Sequence, residues 1–119
     1  MPVFKQRVEA DDQQEAWKRV VDFIHSQGAK AGIQLAHAGR KASTYRDWSG
    51  HGSVPVEDGG WTTVAPSPIA FPGYAEPNGL STDEINDVVY AFGQSAARAL
   101  AAGFDVLARD FVPVVEHFY

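Results

Sequence analysis

The chain has 119 residues, of which 45% are hydrophobic and 21% are charged. This balance is typical of a folded protein, and the length allows one domain at most, with a modest core. The net charge of −5 at pH 7 disfavours nucleic acid or an anionic membrane as a partner, and the absence of cysteine excludes disulfides and thiolate chemistry. No apolar run approaches the roughly 20 residues that span a bilayer, and the N-terminus lacks the apolar stretch of a signal peptide. We therefore expect a cytoplasmic protein.

The first predicted element is a helix in the segment DDQQEAWKRVVDFIHSQG. Four apolar residues recur there at helical spacing, which predicts one buried stripe: Trp17, Val20, Val21 and Ile24. Asp12, followed by Glu15 three residues later, is predicted to cap the start of this helix, and Gly28 fits the position just beyond its end. A strand over residues 30–36 is expected to follow.

A second helix is predicted in STDEINDVVYAFGQSAARALAAG, where Ser81 and Glu84 have the spacing of a capping box. Its expected buried stripe consists of Ile85, Val88, Val89, Phe92, Ala96 and Leu100. Gly93 inside this helix costs about 1 kcal/mol relative to alanine, which close packing against a neighbour would explain. Gly103 ends the helix, and a short strand is expected at residues 104–107. Helix, glycine and strand thus occur twice, which predicts consecutive α/β units that share a parallel sheet.

A long segment rich in glycine, proline and serine, residues 37–80, lies between these two units. Connections beyond about 12–15 residues are uncommon unless they are functional or disordered, and the aromatic content of this one disfavours disorder. A short hairpin is expected at residues 54–64, with its turn at Asp58-Gly59-Gly60. Trp48 and Trp61 either cover a planar ligand or, more commonly for such residues, pack the loop down. We expect an ordered cap at the carboxyl end of the first strand, where ligands bind in parallel α/β sheets.

Gln34 places an amide in the middle of an apolar strand, in the stretch GIQLAHAGRK. If Ile33 and Leu35 face the helices, the side chain of Gln34 faces the opposite side, inside a barrel or across a sheet. A buried primary amide must find partners for one acceptor and two donors, or it costs about 1–3 kcal/mol. The residues alone leave two interpretations open: hydrogen bonds to neighbouring backbone or water, or hydrogen bonds to the amide-like edge of a bound ring.

His37, Arg40 and Lys41 form a cationic cluster around Gly39, where the first strand is predicted to end. Such a cluster can hold an anion or polarise a carbonyl group, although a solvated basic turn is the commoner meaning of these residue types. The chain contains no Walker motif and no GxGxxG pattern, and its histidines lack the spacing of metal ligands. We therefore expect no metal site.

Three ordered stretches, AWKRVVDFIHSQGAKAGIQLAHAGRKAS, GGWTTVAPSPIAFPG and RALAAGFDV, resemble the old yellow enzyme family of NADH:flavin oxidoreductases. The resemblance is to the bacterial FMN-dependent ene-reductases and covers residues 12–107, with divergent ends at 1–11 and 108–119. It implies that the whole chain is a partial domain, a fragment of a (β/α)8 TIM barrel with about two αβ units and a long ordered loop between them. It also implies FMN as the cofactor, NAD(P)H as the hydride donor, and α,β-unsaturated carbonyl compounds as substrates.

The resemblance also suggests roles for the polar residues of the first strand and the following turn. Gln34 matches the family's glutamine that hydrogen-bonds the pyrimidine edge of FMN. Lys41 matches a lysine of the flavin and substrate region, with Arg40 beside it. His37 belongs to the same motif, and a structural role is its alternative.

The family's pair of substrate-binding histidines is not matched in this chain, because the two positions are occupied by Asp110 and Pro113. An anionic Asp110 would repel a developing enolate oxygen, so it cannot take over that role. By resemblance the chain is an NAD(P)H:flavin oxidoreductase, although we expect the isolated fragment to be inactive. The alternative is a non-catalytic truncated remnant, or an association module that self-associates through open sheet edges. An independent small α/β domain is a third interpretation.

Overall fold

The computed structural model describes residues 10–109 of the chain. Its helices and strands are, in chain order, α1 (Asp11–Ser26), β1 (Gly32–Leu35), β2 (Val64–Ala65), β3 (Asn78–Gly79), α2 (Thr82–Ala101) and β4 (Val106–Arg109). Two 3₁₀ turns lie at Gly39–Lys41 and Val56–Asp58. The described part of the chain forms two compact units, the first made of residues 10–35 and 87–109 and the second of residues 36–86. Neither α1 nor α2 combines the length and the apolar character that crossing a membrane requires.

The first unit contains the predicted parallel sheet. Strand β1 pairs in parallel with β4, with Gly32 opposite Val106 and Gln34 opposite Ala108. Strand β4 begins at Val106 and not at Phe104 as predicted, because the N–H of Phe104 still donates to a carbonyl of α2, that of Ala99, at 3.2 Å. Within residues 10–109, each of these two strands has the other as its sole neighbour, so both outer edges of the sheet are unpaired.

The core of the first unit is small and rich in alanine. Its buried members are Val21, Ala31, Ala99, Ala102 and Phe104. Trp17 packs on it, with its ring 5.8 Å from that of Phe104 in an edge-to-face arrangement. The stripe predicted for α2 is therefore wrong in part: Leu100 is 60% exposed and Val89 is 58% exposed. The strands β1 and β4 cover only one narrow face of the 20-residue helix α2. Ala99 is the buried residue on that face.

Both helices start with side-chain hydrogen bonds to free backbone N–H groups. The predicted cap Asp12 is wrong, because α1 begins at Asp11 and its cap is Ala10, two residues earlier than predicted; the N–H of Ala10 donates to Gln13 Oε1 at 3.3 Å. The predicted capping box at α2 is confirmed: Ser81 N–H donates to Glu84 Oε2 at 2.7 Å, and Glu84 N–H donates to Ser81 Oγ at 3.3 Å. The backbone hydrogen bond from Ser81 lowers the pKa of Glu84.

Both helices are followed by glycine, as predicted. Gly28 has φ +78° and Gly103 has φ +98°, values in the left-handed region that residues with a side chain rarely adopt. Gly28 donates its N–H to the carbonyl of His25 at 2.9 Å, and Gly103 donates to that of Leu100 at 3.0 Å. These bonds satisfy carbonyls of the last helical turn.

The second unit contains a pair of two-residue parallel strands, β2 and β3, with Val64 opposite Asn78. The hairpin predicted at residues 54–64 is wrong. The backbone of Val54 bonds to a different segment, since its N–H donates to the carbonyl of Ser43 at 2.6 Å. The chain then turns through a 3₁₀ helix and closes when Gly60 donates its N–H to the carbonyl of Pro55 at 2.9 Å. Turn residues alone could not show that the segment lacked a strand partner.

Gly93 provides a direct test of packing on α2. A Cβ built at this position meets no described atom within 4 Å, so the close packing expected from the sequence is not observed. We predict that Gly93→Ala raises the free energy of unfolding by about 1 kcal/mol, because alanine reduces the backbone entropy lost on helix formation. Ala97→Gly, at an exposed position of the same helix, is the matched control and should lower stability by a similar amount. Thermal and urea denaturation followed by circular dichroism would measure both, and a destabilised Gly93→Ala variant would contradict the prediction.

Candidate functional site

Gln34 lies on the face of the first sheet that points away from the helices. Its neighbours Ile33 and Leu35 are half-buried, and Ile33 packs against the core. Gln34 itself is exposed, as the two-residue period of a strand requires. The predicted face is therefore correct, although the amide is not buried, because no described residue covers this side. Its carboxamide makes no hydrogen bond to any residue between 10 and 109.

The surroundings of Gln34 on this face are small. Ala108 lies directly opposite on β4, and Gly32 is two residues before it on β1. A Cβ built at Gly32 would lie 3.6 Å from the Cβ of Val106, which is an ordinary van der Waals contact. A flat group can approach such a surface closely. The carboxamide offers an acceptor and two donors in one plane, which complements a heterocycle edge that carries adjacent C=O and N–H groups.

His37 shapes the turn that follows β1. Its Nδ1 accepts a hydrogen bond from the N–H of Gly39 at 3.0 Å. Gly39 is buried and has φ +55°, so the bond holds a left-handed residue at the start of the 3₁₀ turn. This geometry favours the structural alternative for His37.

Arg40 is buried in the second unit, with 6% of its surface exposed. Its Nη1 donates to the carbonyl of Ile69 at 2.7 Å, and its Nη2 donates to Ser67 Oγ at 3.3 Å. A solvated basic turn is therefore the wrong description of this residue. The guanidinium instead joins the turn after β1 to a segment almost thirty residues further along the chain.

Lys41 follows Arg40 in the same turn and contacts an aromatic pair. Its Nζ lies 4.0 Å from the centre of the Phe71 ring, a cation–π distance. The Phe71 ring meets that of Tyr74 edge to face at 5.7 Å, and the Tyr74 hydroxyl lies 3.3 Å from Thr44 Oγ1. We call the surface formed by Lys41, Phe71 and Tyr74 the Lys41 face.

The two tryptophans of the second unit differ in their surroundings. Trp61 is half-buried, and its N–H donates to Ser43 Oγ at 3.0 Å, which favours the packing interpretation. Trp48 is 81% exposed, with the guanidinium of Arg46 at 5.9 Å from its ring.

An apolar groove of about 310 Å³ lies along α2 in the first unit. It is lined by Leu35, Val89, Phe92, Gly93, Ala96, Leu107 and Ala108. The sequence did not predict this groove, because its helical residues were expected to be packed. The signal for it is that α2 carries more large apolar residues than two strands can cover.

Asp105 joins three elements of the first unit, and sequence reasoning missed it. Its Oδ2 accepts from the N–H of Ala31 at 2.9 Å and lies 2.7 Å from His25 Nε2. The Nζ of Lys30 lies 3.6 Å from Oδ1. The hydrogen bond from Ala31, followed by that from His25, lowers the pKa of Asp105 from 3.8 to about 2.

Asp110 and Pro113, where the resemblance predicts a mismatch with the substrate-binding histidines, lie outside the described residues. Within residues 10–109, no three His, Asp or Glu side chains form a group that could hold a metal ion.

The comparison with protein families decides the class. The model of the NADH:flavin oxidoreductase / NADH oxidase family matches residues 4–108. The chain belongs to this family. It is 47% identical over 98 residues to an NADPH dehydrogenase of Listeria welshimeri, and 42% identical over 102 residues to an NADH:flavin oxidoreductase of Gibberella zeae. Each match covers 82% of the chain and 25% of the relative, so the chain spans about a quarter of their length.

Solved structures agree with this assignment. The structure of morphinone reductase in complex with tetrahydroNAD matches 86% of this chain and 30% of its own, with a TM-score of 0.66 and 31% sequence identity. The resemblance to the old yellow enzymes is confirmed, and so is the fold class, an α/β piece of a TIM barrel. The family consists of oxidoreductases that use FMN, with NAD(P)H as the hydride donor.

Proposed function

We propose that strand β1 of this chain is a flavin-contacting strand of an FMN-dependent NAD(P)H oxidoreductase of the ene-reductase type, and that Gln34 binds the pyrimidine edge of FMN. One observation carries the proposal: in a member of a flavin oxidoreductase family, an exposed carboxamide on the strand face that points away from the helices makes no hydrogen bond to any of residues 10–109. The small neighbours Gly32 and Ala108 leave room for a planar ring.

FMN, when bound, would carry hydride from NAD(P)H to the activated C=C bond of an α,β-unsaturated carbonyl compound. The protein's own contribution from this segment is binding and orientation. The two donors and one acceptor of Gln34 would fix the rotation of the ring in its plane. Lys41 would supply positive charge near the flavin and substrate, which favours negative charge on their oxygen atoms.

We also propose that the isolated chain is not a competent enzyme. Two strands supply a small part of a cofactor site that several strands build in a closed barrel. In addition, Asp110 and Pro113 replace the histidine pair that the resemblance predicts for the substrate oxygen.

A second candidate function is association without catalysis, in which the partner is another copy of this chain. It is supported by the unpaired edges of β1 and β4 within the described residues, and by exposed apolar side chains on α2 such as Val89 and Tyr90. Sedimentation equilibrium of the purified chain tests it: a dimer supports association, whereas a monomer at high concentration contradicts it.

The flavin spectrum of the chain tests its competence. The purified 119-residue protein, freed of unbound flavin, is expected to be colourless, because the described segment would offer FMN only a small part of its binding site. A bound flavin absorption band that bleaches on addition of NADPH would contradict the proposal that the isolated chain is inactive.

The role of Gln34 is tested in a complete barrel. In a chimeric enzyme, residues 4–108 of this chain replace the matching segment of the Listeria welshimeri NADPH dehydrogenase. The affinity of this grafted enzyme for FMN is measured by fluorescence titration. Gln34→Leu is expected to weaken FMN binding roughly 5- to 100-fold, because buried polar groups of the ring lose their partners. Gln94→Leu, at an exposed position of α2, is the control and should leave the affinity unchanged. Equal FMN affinities of the two variants would contradict a role of Gln34 in FMN binding.

A further inference from the structure

We propose that Arg40 is a positioning residue for the Lys41 face, because its buried guanidinium fixes the segment that places Phe71 beneath the Lys41 ammonium. This inference rests on the proposed function, in which Lys41 is the cation near the flavin and the substrate. It assigns Arg40 a defined role that acts through its neighbour and not through contact with a ligand.

The hydrogen bonds of Arg40 fix both the place and the direction of the segment at residues 67–69. Nη1 holds the backbone carbonyl of Ile69, and Nη2 holds the hydroxyl of Ser67 two residues earlier. Two donors in one rigid planar group, bound to two points of the same segment, restrict rotation as well as translation. Phe71 is two residues beyond the bound carbonyl, so its position depends directly on this clamp.

The clamp and the cation belong to the same 3₁₀ turn, Gly39–Lys41. Adjacent residues of this turn have different surroundings: Arg40 is buried, and Lys41 is half-buried against the exposed Phe71 ring. The turn is itself held at its start by the bond between Gly39 N–H and His37. The chain therefore fixes Lys41 from both sides, through its own turn and through the ring that Arg40 places under it.

A lysine held in this way differs chemically from a free surface lysine. An ammonium group 4.0 Å from a ring centre has part of its surface covered by the aromatic face, which reduces the conformational freedom of its long stem. In the proposed function, this ammonium group is the donor for an anionic or carbonyl oxygen of a planar ligand. Without the clamp, we expect the contact between the Lys41 ammonium and the Phe71 ring to be lost or weakened.

Proton NMR of the complete chain without flavin tests the clamp. The ring current of Phe71 should shift the Cε protons of Lys41 upfield, and Phe71→Leu should abolish that shift, which assigns it. We expect Arg40→Lys to lose most of the shift, because the single nitrogen of lysine lacks the planar fork with which Arg40 binds Ile69 and Ser67 through two nitrogens. Arg46→Lys, at an exposed position of the same unit, is the matched control and should keep the shift. An unchanged Lys41 resonance in Arg40→Lys would overturn the proposal.

The fold of the second unit is monitored in the same samples by hydrogen exchange at the N–H of Trp61, which is bonded to Ser43. If Arg40→Lys also loses this protection, its smaller ring-current shift could reflect unfolding of the unit. The Ser67→Ala variant then tests the clamp, because it removes one clamp bond and keeps the arginine. A reduced shift in Ser67→Ala supports the clamp, and a full shift overturns it.

The grafted enzyme separates this inference from the proposed function. If the grafted enzyme binds FMN, Arg40→Lys should raise its KM for the enone several-fold with a smaller change in kcat. Equal KM values of the grafted enzyme with and without this substitution would contradict a positioning role. If the graft does not bind FMN, the proposed function fails, whereas the NMR result still decides whether Arg40 positions Lys41.

Discussion

Gly60→Ala is expected to unfold the second unit. A Cβ at position 60 would overlap the carbonyl oxygen of Val54 and lie 2.7 Å from Ser43 Oγ. Neither group can move freely, because Ser43 Oγ donates to the carbonyl of Val54 at 3.2 Å and accepts from the N–H of Trp61 at 3.0 Å. Relief of the clash would break these bonds and leave partly buried groups unpaired, so we expect a loss of about 3 kcal/mol or more.

Hydrogen exchange with mass spectrometry measures this effect in peptides from residues 36–86. Gly59→Ala is the matched control, because a Cβ there meets no described atom within 4 Å and costs only the strain of φ +91°. That strain is about 1–2 kcal/mol. A Gly60→Ala variant as well protected as Gly59→Ala would show that the contact between Gly60 and Val54 does not hold the unit together.

Asp105→Ala is expected to lower the melting temperature of the chain by roughly 5–10 °C. The substitution removes the acceptor for the N–H of Ala31, which is part of the buried core, and the partner of His25. It thereby disconnects the end of α1, the entry to β1 and the entry to β4. Asp87→Ala, which removes an exposed carboxylate on α2, is the control and should change the melting temperature little. Equal melting temperatures for the two variants would contradict the role of Asp105.

The pH dependence gives a second measure of the same group. The pKa of Asp105 is lowered from 3.8 to about 2 in the folded chain, so its ionised form stabilises the fold. That contribution is complete above the unfolded value and is lost as the pH falls from about 4 towards 2. Glu84 also has a lowered pKa, so the effect of Asp105 must be separated from that of Glu84. The free energy of unfolding is therefore measured by urea denaturation at several pH values for the unchanged chain and for Asp105→Ala, and the difference between the two isolates Asp105. If the difference in free energy of unfolding stayed constant between about pH 4 and pH 2, it would contradict the lowered pKa of Asp105.

Features set by neighbouring residues could be predicted from the sequence. The Ser81–Glu84 capping box and the glycines after both helices depend on contacts within a few residues, and these predictions are confirmed. The face of Gln34 followed from the alternation of a strand, which is equally local. Its role towards FMN came from the family resemblance and remains a proposal.

Features set by distant residues could not be predicted. Burial of Arg40 depends on Ser67 and Ile69, and the turn near Gly60 depends on a bond between Val54 and Ser43. No periodicity connects such positions. The exposure of Leu100 has the same cause, because it depends on how many strands are present to cover the helix.

The pairing of Gly32 with Val106 also fixes the order in which the chain can fold during synthesis. Strand β1 leaves the ribosome before its hydrogen-bonding partner β4, which follows only after the second unit and α2 have been made. Closing so long a loop is slow, whereas β2 and β3 are near each other in sequence. A nascent chain therefore displays Ile33 and Leu35 on a strand that is not yet paired with β4 while the second unit and α2 are made, and neighbouring chains can compete for that edge in this interval.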